Sequence, residues 1–148
     1  MKIEKLALQN LYILTELFEY DDVEKMISKY TRAIQNGKLD IFVLYDNELL
    51  IGELHVMYEC ADENYAVRGR RAYLSDFRVR EGYQNKGRGT YLLKSVLTMT
   101  KAKGYYEFTV GVEDDNERAK HIYLQMGFDE LLLRKQEDTF EYNLYLKR

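Results

Sequence analysis

The sequence predicts one α/β (α+β) domain over residues 1–148, in which strands and helices alternate along the chain. Two observations carry this prediction. The spacing of apolar residues changes several times between the period of about 3.6 that is typical of a helix and the period of two that is typical of a strand. In addition, 46% of the residues are hydrophobic and 32% are charged, which is ordinary for a soluble globular domain and too apolar for a disordered chain.

The first part of the chain is predicted to hold one strand and two helices. Ile and Leu residues indicate a short strand over residues 3–8, and apolar residues recur at helical spacing over residues 10–18. A second helix is predicted to begin at a cap, either Asp21 or Asp22, and to run to about Gln35. A glycine two residues further on would end it.

Three strands are predicted next. Residues 39–45 and 49–57 are rich in residues that favour strands, and the three polar residues between them indicate a hairpin. A third strand over residues 73–80 follows a charge-rich connection. If this strand is regular, Ser75 lies on one face of the sheet and Asp76 lies on the other.

The last part of the chain is predicted to return to helices and strands after a glycine-rich turn. Residues 92–100 follow the helical period, and residues 106–112 then alternate at period two, which indicates a half-buried strand. Asp114 or Asp115 is the predicted cap of a further helix, which ends at Gly127. The last two predicted strands cover residues 128–134 and 139–146.

Charge, cysteine content and the absence of apolar runs narrow the possible functions. The net charge is −3, and the arginines at residues 68–71 are balanced by acidic residues just before them, which argues against a nucleic-acid partner and mildly favours a cationic small substrate. Cys60 is the only cysteine, so no intramolecular disulfide forms and a cysteine-based zinc site is disfavoured. No export signal and no membrane span are visible. We therefore predict a cytoplasmic protein.

The turn over residues 81–90 is the feature that points to a ligand. It lies between a predicted strand and a predicted helix and contains three glycines, which let a backbone approach a ligand closely. Free amides at a helix N-terminus and the helix dipole both favour an anion there. Lys86 and Arg88 add positive charge, so the turn predicts a phosphate or pyrophosphate site.

Two common nucleotide-binding motifs do not fit this turn. Gly82 and Gly87 have P-loop spacing, but Arg88 and Gly89 stand where a P-loop needs Lys and Ser or Thr. A dinucleotide-binding fingerprint would need a third glycine at position 92, which is Leu.

The turn does fit a third pattern. Residues 84–89 read Gln-x-x-Gly-x-Gly, preceded by Leu-Ser-Asp-Phe-Arg-Val at residues 74–79 and followed by Asn-x2-Ala-x3-Tyr-x3-Gly-Phe at residues 116–128. These segments resemble the GNAT superfamily of N-acetyltransferases, and the order of strands and helices matches over nearly the whole chain. The family usually has Pro-Glu-Tyr or a similar triplet just before the loop, where this chain has Glu-Gly-Tyr.

The resemblance implies a single GNAT-type domain with a central, mixed, mostly antiparallel twisted sheet of about seven strands flanked by about four helices. It also implies acetyl-CoA as co-substrate, no metal, and transfer of the acetyl group to a primary amine of a small molecule by direct attack in a ternary complex. The cofactor-binding residues that it implies are Phe77, Arg78, Val79, Gln84, Asn85, Lys86, Gly87, Arg88, Gly89, Thr90 and Asn116.

One side chain is implied as a catalytic acid. Tyr123 stands where the resembling family places the tyrosine that protonates the leaving thiolate, and a phenol with a pKa of about 10 keeps its proton at neutral pH. Its alternative role is a core aromatic residue at helical spacing.

The general base stays open. Some members of the resembling family carry Glu where this chain has Ser75, so the candidates are Asp76, Glu53, Glu113 or a water held by Ser75. The two histidines, His55 and His121, have no metal or triad pattern around them and are interpreted as structural. Cys60 has no neighbouring cation in the sequence and is interpreted as a bystander.

Two other functions remain possible on the same fold. The chain could be an acyl-CoA sensor without turnover, or an acetyltransferase for protein N-termini or lysines whose partner docks on residues 59–71. The acceptor itself cannot be named, because acceptor pockets are built from variable segments outside the cofactor motifs. Edge strands at the C-terminus would also permit a homodimer.

Overall fold

The N-terminal segment contains a short strand, a 3₁₀ helix and an α-helix. The computed structural model describes all residues from Met1 to Arg148. Strand β1 (Lys2–Lys5) is followed by a 3₁₀ helix (Leu8–Glu16), so the segment that was predicted as helical is wound more tightly than an α-helix and ends earlier. Helix α1 (Val23–Gln35) begins as predicted, because the Asp22 carboxylate accepts the Lys25 amide at 3.0 Å.

A hairpin follows α1. Strands β2 (Leu39–Asp46) and β3 (Leu49–Met57) are joined at Asn47, whose φ of 57° is the left-handed conformation that such tight turns require. Residues 50–56 of β3 are all buried, so side chains on both faces of this strand lie inside the protein. Two of these side chains, Glu53 and His55, are polar.

Strand β4 (Arg71–Val79) leads through the glycine-rich turn into helix α2 (Arg88–Ala102). The strand is not regular, because Asp76 has a φ of 51° in its interior. The alternation of faces that a regular strand would give is therefore broken at Asp76. Helix α2 buries Leu92, Leu93, Val96 and Leu97, which is the apolar stripe that its spacing predicts.

The C-terminal elements are strand β5 (Glu107–Glu113), helix α3 (Glu117–Gln125), and strands β6 (Glu130–Glu137) and β7 (Phe140–Lys147). Two predictions are wrong in detail. Strand β5 is buried on both faces over residues 107–110 rather than half-buried. The cap of α3 is Asn116, whose side chain accepts the Ala119 amide at 3.1 Å, and not Asp114 or Asp115.

The seven strands form one mixed sheet in the order β1-β2-β3-β4-β5-β7-β6. Strand β5 lies parallel to β4, with Arg71 opposite Glu107, and antiparallel to β7, with Gly111 opposite Leu144. The β1/β2 and β6/β7 pairs are also antiparallel. The parallel β4/β5 pair among these antiparallel pairs makes the sheet mixed, and together with the four helices this confirms the predicted fold class.

The chain divides into two compact units, residues 1–56 with 76–99 and residues 57–75 with 100–148. The first unit has a core of aliphatic side chains that includes Leu14, Ile41 and Leu92. The core of the second unit includes Phe108 and Phe128. None of the helices is both long enough and apolar enough to cross a bilayer.

Candidate active site

The turn after β4 has the conformation that its glycines suggest. Gly82, Asn85 and Gly87 have φ values of 89°, 66° and 78°, which glycine adopts without strain and asparagine tolerates. A Cβ added at Gly87 would meet no atom within 4 Å. The turn is exposed from Gln84 to Gly87, so its backbone is open to a ligand.

The start of α2 offers unused hydrogen-bond donors. The Tyr91 amide donates to the Gly87 carbonyl at 2.9 Å and makes the first bond of the helix. The amides of the three preceding residues, Arg88, Gly89 and Thr90, have no partner, and the first turn of the helix has no acidic residue. Three free amides at the positive end of a 15-residue helix suit a phosphate oxygen.

The two basic residues of the turn differ in how free they are. Lys86 is exposed. The Arg88 guanidinium lies 3.9 Å from the Asp46 carboxylate and 5.2 Å from the centre of the Tyr83 ring, and one of its nitrogens is buried without a partner. Lys86 therefore supplies the more accessible positive charge.

Gln84 fastens the turn to the end of β4. Its side-chain amide donates to the Val79 carbonyl at 2.9 Å. That carbonyl thus accepts one hydrogen bond from within the protein and keeps one lone pair for a pantetheine arm, the role that the resemblance implied. The Gln84 side chain ties the turn to the strand with one N–H, and its second N–H is left for a ligand.

A groove of about 550 Å³ runs along the end of β4 beside the 3₁₀ helix. An ion pair between Arg80 and Glu16, 3.6 Å apart, crosses from the strand to this helix. The groove is lined by Glu16, Leu17, Phe77, Arg78, Val79, Arg80, Glu81 and Gln84. It thus brings together four of the residues that the resemblance assigns to the cofactor, namely Phe77, Arg78, Val79 and Gln84.

A cluster of charged side chains lies where β3 and β4 meet. His55 and Glu53, both on β3, are fully buried, and the distance from His55 Nε2 to Glu53 Oε2 is 2.7 Å. Arg78 donates to both carboxylates of the cluster, to Glu53 at 3.0 Å and to Asp76 at 3.2 Å. The second ring nitrogen of the histidine, Nδ1, faces Asp76 Oδ2 at 3.4 Å. We call these four residues the β3–β4 cluster.

Aromatic side chains cover the β3–β4 cluster. The Arg78 guanidinium lies 4.0 Å from the centre of the Phe18 ring, and the Tyr30 ring meets His55 edge-on with centroids 5.2 Å apart. Burial raises the pKa of Tyr30 and of Tyr20, and the nearby carboxylates raise both further. Burial lowers the pKa of Arg78, but Glu53 and Asp76 outweigh this effect and raise it above its ordinary value.

The structure separates the candidate bases by their access to solvent. The Glu53 side chain is completely buried and is held by Arg78, whereas 34% of the Asp76 side chain is exposed. Glu113 is exposed, and Ser75 is half-buried. Among these four candidate bases, Asp76 is the one that is partly exposed to solvent and also faces a buried side chain, that of His55.

Tyr123, the predicted acid, is half-buried on α3. Its ring meets Phe128 edge-on with centroids 5.6 Å apart. Burial raises the pKa of Tyr123 to about 12, with a smaller contribution from Tyr73. The phenol therefore stays protonated at neutral pH, as expected, but it is a weaker acid than an exposed tyrosine.

The remaining candidate residues have simpler surroundings. Asn116 caps α3, which occupies its side-chain oxygen and leaves its NH₂ group for other contacts. His121 is exposed. Burial, Asp62 and Glu59 all raise the pKa of the Cys60 thiol, which disfavours the reactive thiolate. No group of three or more His, Cys, Asp or Glu side chains is arranged to hold a metal ion.

The two carboxylates that lie against His55, those of Glu53 and Asp76, were not predicted from the sequence. The spacing of Glu53 and His55, two residues apart in an apolar run, places both on one face of a strand, and this pattern could have indicated a buried polar pair. The contribution of Asp76 could not be found in this way, because it depends on the pairing of two strands.

The fold, with its glycine-rich turn between β4 and α2, defines the class of protein. A model of the Acetyltransferase (GNAT) family matches residues 7–128. The chain is 28% identical over 131 residues to thialysine N-epsilon-acetyltransferase of Bos taurus, covering 82% of this chain and 77% of that protein. A ribosomal-protein-alanine N-acetyltransferase from Brucella melitensis has the same fold, with a TM-score of 0.80, 16% identity and 99% coverage of both chains.

A further solved structure, the acetyltransferase yncA of Salmonella typhimurium with its cofactor acetyl-CoA, superposes with a TM-score of 0.73 at 16% identity, covering 99% of this chain and 92% of that one. The chain belongs to the acetyltransferase (GNAT) family. It is an N-acetyltransferase.

Proposed function

We propose that this chain transfers the acetyl group of acetyl-CoA to a primary amine of a small cationic molecule, with the amine attacking the thioester directly in a ternary complex. The observation that carries the proposal is the row of free amides at Arg88, Gly89 and Thr90. The turn over residues 80–87 joins them to the strand that ends in Phe77-Arg78-Val79. An anion held there leaves the rest of the ligand to extend along that strand.

In this proposal the turn holds the pyrophosphate of acetyl-CoA. The free amides and Lys86 supply donors and positive charge, and Gly87 leaves room for the phosphate oxygens. The pantetheine arm lies in the groove along residues 77–79. Asn116 contacts the cofactor through its free NH₂ group.

The acceptor amine is received at Asp76. An alkyl amine is mostly protonated at neutral pH, and a carboxylate that is 34% exposed is a suitable partner for its positive charge. The similarity to thialysine N-epsilon-acetyltransferase favours an acceptor whose amine ends a flexible side chain of an amino acid.

Tyr123 protonates the thiolate that leaves. The pKa of about 12 lies roughly 3.5 units above that of a typical thiol, so a separate proton transfer would be uphill by about 5 kcal/mol. We therefore expect Tyr123 to release its proton only as the C–S bond breaks, and to regain one from the nitrogen of the tetrahedral intermediate.

The experiment that tests the proposal is thiol release measured with acetyl-CoA and a panel of amines. Lysine, thialysine, diamines and a peptide with a free N-terminus are the informative members. Release of CoA that depends on a small amine supports the proposal. Activity with the peptide alone would favour the protein acetyltransferase, and acetyl-CoA binding without release under any condition would favour the sensor.

A homodimer and a cytoplasmic location stay predictions. Strand β6 lies at one end of the sheet and has a neighbour on one side only, which leaves its outer edge open to pairing with a second copy. Light scattering after size-exclusion chromatography would give the oligomeric state.

A further inference from the structure

We propose that His55 is a positioning residue that takes up, through Asp76, the proton which the acceptor amine must lose before it can attack. This inference rests on the proposed function and names the proton acceptor for that same site. It assigns a role in the reaction to a side chain that is 1% exposed and acts through Asp76.

The first step of the argument concerns the Nε2 atom of His55. It lies 2.7 Å from Glu53 Oε2, and a carboxylate can only accept in such a bond. Nε2 therefore carries a hydrogen, and Glu53 selects the tautomer of the ring. Because Arg78 holds the other oxygen of Glu53 at 3.0 Å, the carboxylate cannot turn away from the ring.

The second step concerns Nδ1, the other ring nitrogen. In the neutral ring it bears a lone pair, it is buried, and it makes no hydrogen bond. The atom that faces it is Asp76 Oδ2 at 3.4 Å, which also presents lone pairs when it is ionised. A proton added to the pair would turn this repulsion into an attraction, so Nδ1 is poised to accept one from the direction of Asp76.

The charges around His55 also favour the uptake of a proton by its ring. On β3 and β4 the ring faces Glu53, Asp76 and Arg78, which carry two negative charges and one positive charge when all are ionised. Tyr30 from α1 packs on the ring, and Tyr20 lies near both carboxylates. Since burial raises the pKa of both tyrosines, they stay neutral. A proton on His55 makes the cluster electrically neutral.

The backbone at Asp76 supports a role beyond packing. A φ of 51° in the middle of a strand is a costly conformation for a residue with a side chain, and Asp is one of the few residues that adopt it. The irregularity keeps the carboxylate in contact with both Arg78 and His55 while 34% of it stays exposed. Asp76 thus connects solvent to the buried ring.

The protons balance as follows. The ammonium group of the acceptor gives one proton to His55 by way of Asp76. The neutral amine then forms the C–N bond, and the C–S bond of the thioester breaks when the tetrahedral intermediate collapses. The second nitrogen proton replaces the one that Tyr123 gives to the thiolate. His55 finally returns its proton to solvent through Asp76, so the net products are the amide, CoA thiol and one proton.

The kinetic test compares His55→Gln with His121→Gln, a matched substitution at the exposed histidine. A glutamine amide can still donate to Glu53 but cannot take up a proton. We expect His55→Gln to lower kcat by about 100-fold, the lower end of the range for positioned proton transfer, while the KM for acetyl-CoA changes little. The pH profile of kcat/KM should stay unchanged in His121→Gln. In His55→Gln, which has no internal proton acceptor and must use amine that is already neutral in solution, kcat/KM should rise with pH up to the pKa of the amine itself.

A purely structural histidine would not change the pH profile. A His55→Gln enzyme that retains the wild-type profile, whatever its rate, would overturn the inference. If the wild type releases no CoA with any amine, it is the proposed function that fails, and the inference fails with it.

A second measurement needs neither turnover nor a variant at His55. The chain has only two histidines, so ¹⁵N NMR of the imidazoles can follow both, with His121→Gln providing the assignment. We expect the ¹⁵N signals of His55 to respond differently to pH in Asp76→Asn and in wild type, because the carboxylate that faces Nδ1 is gone. Asn also tolerates the positive φ at this position. Identical titrations in the two proteins would contradict the coupling.

Discussion

Gly89 lies so close to Phe77 that a Cβ on the glycine would come within 3.3 Å of Phe77 Cζ. The same atom would be 3.4 Å from Val79 Cγ2. Gly87 and Gly89 thus have different physical roles, because Gly87 needs its backbone conformation and Gly89 needs its lack of a side chain. A substitution at Gly89 would disturb the packing of α2 on β4 as well as any ligand site.

Gly87 is therefore the better position at which to test the anion site. Gly87→Asp and Gly87→Asn have the same shape, and both residues tolerate a positive φ, so they share any strain and differ in one charge. We expect Gly87→Asp to bind acetyl-CoA at least about 10-fold more weakly than Gly87→Asn, which is about 1.4 kcal/mol. Calorimetry on both folded variants gives the comparison. Equal affinities would show that the pyrophosphate does not bind at this turn.

Tyr123→Phe keeps the ring against Phe128 and removes only the hydroxyl. We expect kcat to fall by about 10² to 10⁴-fold and the affinity for acetyl-CoA to stay near that of wild type, because the hydroxyl acts as the thiolate leaves. Tyr106→Phe, at a tyrosine that is 59% exposed, is the matched control. Wild-type turnover in Tyr123→Phe would make this residue a core aromatic and leave water as the acid.

The raised pKa of Tyr123 also predicts an effect on stability at high pH. Because the folded state holds this pKa at about 12, above the ordinary value of 10.0, the contribution is complete below pH 10 and is lost as the pH rises through 12. At pH 11 the loss is about 1 kcal/mol. Urea unfolding at pH 8 and pH 11 should show a decline in the free energy of unfolding that is smaller by this amount in Tyr123→Phe than in wild type.

Cys60→Ala should retain most of the activity. Its thiol pKa is raised by burial and by two acidic neighbours, and direct transfer to an amine needs no enzyme nucleophile. Steady-state rates of the variant test this expectation. The wild type incubated with acetyl-CoA alone can be checked by mass spectrometry. An acetyl group found on Cys60 would contradict direct transfer and require a two-step mechanism.

Local chemistry was enough to predict most of the secondary structure. The start of α1 follows from one carboxylate that reaches an amide three residues away, and the end of that helix follows from Gly37, whose φ is 71°. The turn before α2 was visible for the same reason, since its glycines stand where the chain needs positive φ values. Such contacts span a few residues and leave a signature in the sequence.

Features that depend on contacts between residues far apart in the chain could not be predicted from the sequence. Asp114 suits a helix cap by its position, but its carboxylate is taken by Asn143 and Lys120, at 3.0 and 3.2 Å, so that Asn116 becomes the cap. The β3–β4 cluster was missed for the same reason. Glu53 and Arg78 are 25 positions apart, and only the pairing of their strands makes them partners.

The free amides of Arg88, Gly89 and Thr90 also make the turn its own reporter. Amide hydrogens that lack an acceptor exchange with deuterated solvent far faster than those inside a helix. When an anion accepts these hydrogens, their exchange slows, while the interior amides of α2 are already protected. Deuterium uptake of a peptide covering residues 84–91 would therefore register occupancy of the turn without any labelled cofactor.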